Sequence, residues 1–196
     1  DAKRRVYDVA FSRDGKLLVT SHPQYVLLWD VAKGTQVRRF EKPEELVGKV
    51  AFTPDGRFLF GFGGHDKFFR WDVETGKLLL TVERPHGDAA VLSPDGNSVV
   101  ASAWSGGVKF LDFETGAEGK SIGSFDNGGS VRGAAVSFDS RYVLYGCDDR
   151  YARLVEIESG REVARFGRHL EPVKHVAFSG DGRFAVARVL LDGQDD

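Results

Sequence analysis

Short runs in which apolar residues dominate or alternate with polar ones, broken by polar turns, fill this chain from end to end. Val173-Lys174-His175-Val176-Ala177-Phe178, Arg57-Phe58-Leu59-Phe60 and Ser98-Val99-Val100-Ala101 are typical of them. Such runs suit extended strands with one or both faces buried. An Asp-Gly pair often follows them and supports a tight hairpin, because glycine tolerates positive φ. No apolar stripe with a 3.6-residue period is sustained anywhere, so the pattern predicts an all-β chain without a substantial helix.

The turns recur at a fixed interval. Phe11-Ser12-Arg13-Asp14-Gly15, Phe52-Thr53-Pro54-Asp55-Gly56, Leu92-Ser93-Pro94-Asp95-Gly96 and Phe178-Ser179-Gly180-Asp181-Gly182 share one pattern, and Val136-Ser137-Phe138-Asp139-Ser140 is a degraded copy. Their last positions are 41, 40, 44 and 42 residues apart. A second string keeps the same step: Trp29-Asp30-Val31-Ala32-Lys33-Gly34, Trp71-Asp72-Val73-Glu74-Thr75-Gly76, Leu111-Asp112-Phe113-Glu114-Thr115-Gly116 and Val155-Glu156-Ile157-Glu158-Ser159-Gly160. Each period therefore divides into four strands. The first two are joined by the Ser/Thr-x-Asp-Gly turn, a polar loop follows, the third ends at Trp-Asp or its equivalent, and a turn closing on Gly leads to the fourth.

On these residues the chain resembles the WD-repeat family, whose repeats of about 40–45 residues each form one blade of a β-propeller. The resemblance extends over essentially all 196 residues and is to a bacterial-type member. It implies structural roles for Trp29, Asp30, Trp71 and Asp72, for Asp149 six residues before Val155, and for His169 four residues before Val173. The family's His, Ser, Asp and Trp network is incomplete here. Pro43 stands in the His169 slot of blade two, and Pro23, His65 and Ser105 stand in the Asp149 slot of blades one to three.

Blades are expected at about residues 6–40, 47–82, 88–125 and 131–166, with two strands of a fifth over 173–191. A propeller has to close to protect its sheet edges. The expectation is thus a piece of a longer, about seven-bladed propeller, completed by the same polypeptide or by a second chain.

Composition narrows the function classes. The 24 glycines fit a chain punctuated by turns, and 41% hydrophobic residues suffice for a core. A formal net charge of −2 argues against a dedicated nucleic-acid or membrane-surface binder. One cysteine, Cys147, rules out an intrachain disulfide, and no apolar run approaches the ~20 residues of a membrane span. A cytoplasmic location is expected. The five histidines have no metal-ligand spacing, and neither a phosphate loop nor a nucleophile elbow is present, so no metal, cofactor or catalytic residue is assigned.

The resemblance implies a non-catalytic scaffold that offers loops at one end of its blades to a protein or peptide partner. Candidate contacts are Tyr25, His65, Lys67, Trp104, Arg150 and Arg168. The alternative is an enzymatic propeller. Asp72-Val73-Glu74-Thr75-Gly76-Lys77 resembles the turn of quinone-dependent dehydrogenase repeats, but Leu80 stands where those repeats carry Trp, and the sialidase-type hydrolase turn is absent as well.

Overall fold

The computed structural model describes residues 5–41, 46–63, 67–83, 89–103, 106–123 and 129–189. It is all-β, with eighteen strands in four four-stranded sheets and one two-stranded sheet. Blade one comprises β1 (Asp8–Phe11), β2 (Leu17–His22), β3 (Tyr25–Asp30) and β4 (Thr35–Arg39). Blade two comprises β5 (Val47–Phe52), β6 (Phe58–Gly63), β7 (Lys67–Asp72) and β8 (Leu78–Glu83). Blade three follows with β9 (Ala90–Leu92), β10 (Ser98–Ser102), β11 (Val108–Asp112) and β12 (Glu118–Ile122). Blade four holds β13 (Val131–Val136), β14 (Tyr142–Cys147), β15 (Ala152–Glu156) and β16 (Glu162–Phe166), and β17 (Val173–Phe178) pairs with β18 (Ala185–Val189). Every sheet is an antiparallel meander in chain order. Four blades and a partial fifth are what the repeat predicts.

Two compact units divide the chain, Asp1–Arg84 and Pro85–Asp196. Within each, one blade packs its face on the next. In the first unit Val19 and Leu28 of blade one meet Val50, Leu59, Phe69 and Trp71 of blade two. In the second, Val100 and Val108 of blade three meet Val131, Val143, Tyr145 and Val155 of blade four, whose Leu144 and Ala152 join Val173 of β17. The second strands carry the most buried sequences, VLYG in β14 for instance, whereas the fourth strands β4 and β12 are nearly all exposed.

Side chains also strap successive blades together. The Arg38 guanidinium donates to the Thr75 carbonyl (3.2 Å), and Lys120 Nζ donates to the carbonyls of Ile157 (2.8 Å) and Glu158. Both cations reach from a fourth strand into the turn that ends the third strand of the following blade. Bulges recur as well: the pairing of third and fourth strands shifts at Leu28/Trp29, Arg70/Trp71, Lys109/Leu111 and Leu154/Val155.

All five Ser/Thr-x-Asp turns use one set of bonds. The Ser12 hydroxyl donates to Asp14 Oδ1 (2.7 Å) and accepts from the Leu17 amide (2.9 Å), while the Lys16 amide donates to the same carboxylate oxygen (3.1 Å). Thr53 with Asp55, Ser93 with Asp95, Ser137 with Asp139 and Ser179 with Asp181 repeat it. The side chains thereby satisfy backbone groups that a bare turn would leave open. Gly15, Gly56, Gly96 and Gly182 close these turns at φ of 69–78°, and Ser140 adopts φ 56° in the degraded copy.

Two predictions follow from the turns. Left-handed φ strains a residue with a Cβ, and the Ser140 hydroxyl is buried without a hydrogen-bond partner. Ser140→Gly should stabilise the chain by about 1 kcal/mol and raise the thermal midpoint by ~2–4 °C, read by calorimetry. The serine or threonine hydroxyl holds the carboxyls of Asp14, Asp55, Asp139 and Asp181 below their ordinary 3.8. Stability from a depressed carboxyl is present above its unfolded value and lost as pH falls through the folded one. The midpoint should therefore drop steeply as pH is lowered below about 4, and less steeply in a Ser12→Ala, Thr53→Ala, Ser137→Ala variant.

Candidate functional site

The loops between second and third strands, and those after fourth strands, lie at the end of each blade opposite the Asp-Gly hairpins. In blade one the short β2–β3 connection turns at Pro23-Gln24, and antiparallel pairing sets His22 directly across from Tyr25. Their rings lie 4.5 Å apart, and the Arg39 guanidinium covers the Tyr25 ring at 5.3 Å. Tyr25 is thus an aromatic plate held from two sides. Beneath it, Trp29 Nε1 donates to Thr20 Oγ1 (2.9 Å), and that hydroxyl lies 2.9 Å from His22 Nε2. Because the hydroxyl accepts from the indole, its own proton is available to an unprotonated Nε2. Burial pushes the His22 imidazole below its ordinary 6.5, which keeps it neutral and able to accept.

In blade two Trp71 is wholly buried, and its Nε1 donates to the Glu41 carbonyl (2.8 Å). Glu41 is itself pinned, since its amide donates to the Gly76 carbonyl and its Oε2 accepts from the Leu78 amide, each at 2.9 Å. A Cβ on Gly61 would come within 2.6 Å of the Trp71 ring, so the indole is seated against a strand that has to be glycine there. Lys67 opens β7 and pairs with Glu83 across the sheet (3.0 Å). Asp30 and Asp72 close the turns after third strands: Asp30 accepts from the Lys33 amide (2.9 Å), and Asp72 from the Thr75 amide and hydroxyl (both 2.7 Å).

Blade four departs most from its siblings. Arg153, 4% exposed, is the second residue of β15. Its guanidinium donates to both oxygens of Asp149, at 3.0 Å for Oδ1, and its Nε lies 3.4 Å from Glu162 Oε2. Arg165 holds Glu162 from the other side (2.7 Å), and both guanidinium groups lie 5.6 Å from the Tyr151 ring. Burial pushes the Asp149 carboxyl up, but the Arg153 and Tyr151 hydrogen bonds outweigh it and hold the group below its ordinary 3.8. His169 is not its partner. The His169 amide donates to the Arg150 carbonyl (2.9 Å), and its buried Nε2 has no hydrogen-bond partner. Arg150 and Arg168 are exposed on either side of that backbone bond.

His65 and Trp104 lie outside the described residues, as do Pro43 and Ser105. Among the described residues no three His, Cys, Asp or Glu side chains gather as a metal site, and no helix is long and apolar enough to cross a membrane. Burial pushes the Cys147 thiol up to about 12, leaving it protonated and a poor nucleophile at neutral pH. Sequence reasoning missed Arg153, Glu162, Thr20 and Glu41. For Arg153 a signal existed: a cation flanked by Ala152 and Leu154 at a buried strand position, four residues after Asp149.

The blade-four network yields a stability prediction. Arg153→Met removes the cation shared by two carboxylates and should cost about 3 kcal/mol, the low end for a broken buried pair because both carboxylates reach water. Asp149→Asn should cost less, since Arg153 keeps Glu162. Urea unfolding of the two variants checks the order.

The WD domain, G-beta repeat family model matches residues 2–30. Telomerase protein component 1 of Rattus norvegicus is 29% identical over 182 residues, which cover 91% of this chain and 7% of that protein. Autophagy-related protein 16 of Arabidopsis thaliana is 24% identical over 186 residues, 93% of this chain and 35% of that one. The WD repeat-containing protein WDS homolog of the same plant is 25% identical over 197 residues, 95% and 37%. This chain thus spans about a third or less of these curated relatives. Among solved structures, the Cps50 (Swd1) β-propeller domain of Myceliophteria thermophila superposes with a TM-score of 0.82 at 16% identity, over 93% of this chain and 61% of that one. Hydrazine synthase of Kuenenia stuttgartiensis does so with a TM-score of 0.75 at 19% identity, over 92% and 54%. At such identities these two likenesses concern the fold alone. Its repeat spacing, its Trp-Asp turns and its four-stranded blades accord with this similarity to WD-repeat β-propellers.

Proposed function

We propose that this chain is a non-catalytic scaffold that binds a protein or peptide partner through the loops joining second to third strands and those following fourth strands. The observation that carries the reading is the Tyr25 plate, a partly exposed aromatic held rigid by His22 and Arg39 at a blade end. A pre-ordered aromatic loses little conformational freedom on binding, which suits an interface anchor. Lys67 stands at the same end of its blade, and Trp104 falls in the equivalent loop of blade three. The WD-repeat relatives favour the interaction role in general. In the quinone-like turn, Asp72 and Thr75 are engaged in closing the chain reversal, a structural use of those residues.

Affinity capture with the full-length polypeptide, followed by titration of the purified partner, tests this. Tyr25→Ala, Lys67→Glu and Trp104→Ala should each weaken the partner at least about fivefold, the scale of ~1 kcal/mol for an interface anchor. Arg13→Glu and Glu74→Lys, in turns at the other end of blades one and two, should not. Equal losses from both groups would overturn the reading, and so would saturable quinone binding seen by absorbance.

A further inference from the structure

We propose that the β14–β15 turn and the segment after β16 form a docking point for an acidic peptide segment, gripped by Arg150 and Arg168 with Leu170 beside them. This rests on the scaffold reading and adds the chemistry of the partner.

Arg150 and Ser140 are the non-glycine residues at positive φ among the described residues. Arg150 adopts 71°, while the same turn position in blade three is Gly106 at 78°. The backbone there asks for glycine, and blade four instead carries the longest cationic side chain. Local bonds hold the strained conformation: the Arg150 amide donates to the Cys147 carbonyl (3.2 Å), and its carbonyl accepts from His169 (2.9 Å). That second bond brings the Arg168 segment alongside. A residue kept in a disfavoured conformation by its surroundings is a pointer to use of its side chain.

The charge balance points the same way. Asp148 is taken by Arg132 in a bidentate pair of 2.7 and 2.9 Å. Asp149 is taken by Arg153, and Glu162 by Arg165 and Arg153. Arg150 and Arg168 make no ion pair among the described residues, and Glu171, three positions past Arg168, pairs with neither. Two exposed guanidinium groups are thus left over on one turn pair, and guanidinium forks recognise carboxylates in bidentate fashion. Leu170, 73% exposed, offers an apolar contact next to them. Two surplus cations on a chain of net charge −2 suit paired carboxylates of a peptide better than the long phosphate track of a nucleic acid.

Fluorescence anisotropy on the full-length polypeptide tests the proposal with a labelled twelve-residue peptide of alternating Glu and Leu, its Gln-for-Glu counterpart, and a twelve-base-pair DNA duplex. The acidic peptide should bind and weaken with added salt. Arg150→Gly and Arg168→Gln should each weaken it about tenfold, and together roughly a hundredfold, as expected for charge-assisted bonds. Arg150→Gly relieves positive φ, so an unchanged or raised thermal midpoint should accompany its loss of binding. Unaltered binding by the double variant, equal binding of the Gln peptide, or preference for the duplex would each overturn the assignment. If the acidic peptide fails while Tyr25→Ala and Lys67→Glu still release their partner, the acidic assignment falls and the scaffold reading stands. If those variants release nothing either, both fall.

Discussion

A four-stranded blade cannot bury its own faces, and the rest of the structure answers to that constraint. Each sheet is one layer thick, so the apolar side chains on its two faces find cover only against another blade. Val19 and Leu28 become interior because blade two stands against them, and Val100 does because blade four does. Burial in the second strands is accordingly two-sided, as in the consecutive buried residues Val99, Val100 and Ala101 of β10 and Val143, Leu144 and Tyr145 of β14. The outer strands lack this cover and carry charge, which also blunts their free edges against unwanted pairing.

Face-to-face packing requires that every blade have nearly the same size and twist, and the turns impose this. The serine or threonine hydroxyl and the aspartate at the head of each blade make the same bonds five times, fixing where the second strand begins. At the turn after the third strand an aspartate does the corresponding work in the first three blades. Blade four uses Glu156, whose longer arm reaches the Ser159 hydroxyl (2.6 Å). Substitution is tolerated where the replacement reproduces the bond or the backbone angle. Ser140 takes the angle at the cost of strain, which marks that turn as the degraded one.

This division explains what could be read from the chain before its structure. Hairpins, strand order and blade number depend on residues within about ten positions of one another, so the recurring strings expose them. The polar interiors do not, because their partners are set by packing. Trp29 meets Thr20, whose hydroxyl in turn meets His22, whereas Trp71 meets the Glu41 carbonyl thirty residues before it, although both tryptophans occupy the same repeat position. Asp149 stands in the slot that resemblance assigns to a histidine partner, yet it turns to Arg153. Had β15 carried leucine at that position, as blade one does at Leu27, the aspartate would have lacked its cation.

Arg153 also accounts for the character of the neighbouring turn. A buried guanidinium requires carboxylates, and it draws Asp149 inward while Arg132 occupies Asp148. The two acids that would have neutralised this loop end are consumed by structural pairs, and the positive φ at Arg150 directs the chain so that the next residue, Tyr151, returns to the sheet under the guanidinium groups of Arg153 and Arg165. That Arg150 makes no ion pair among the described residues therefore follows from how the interior of blade four is balanced. Replacing the buried cation would free the Asp149 carboxylate beside Arg150, so the stability of blade four and the charge of this turn are linked through Asp149.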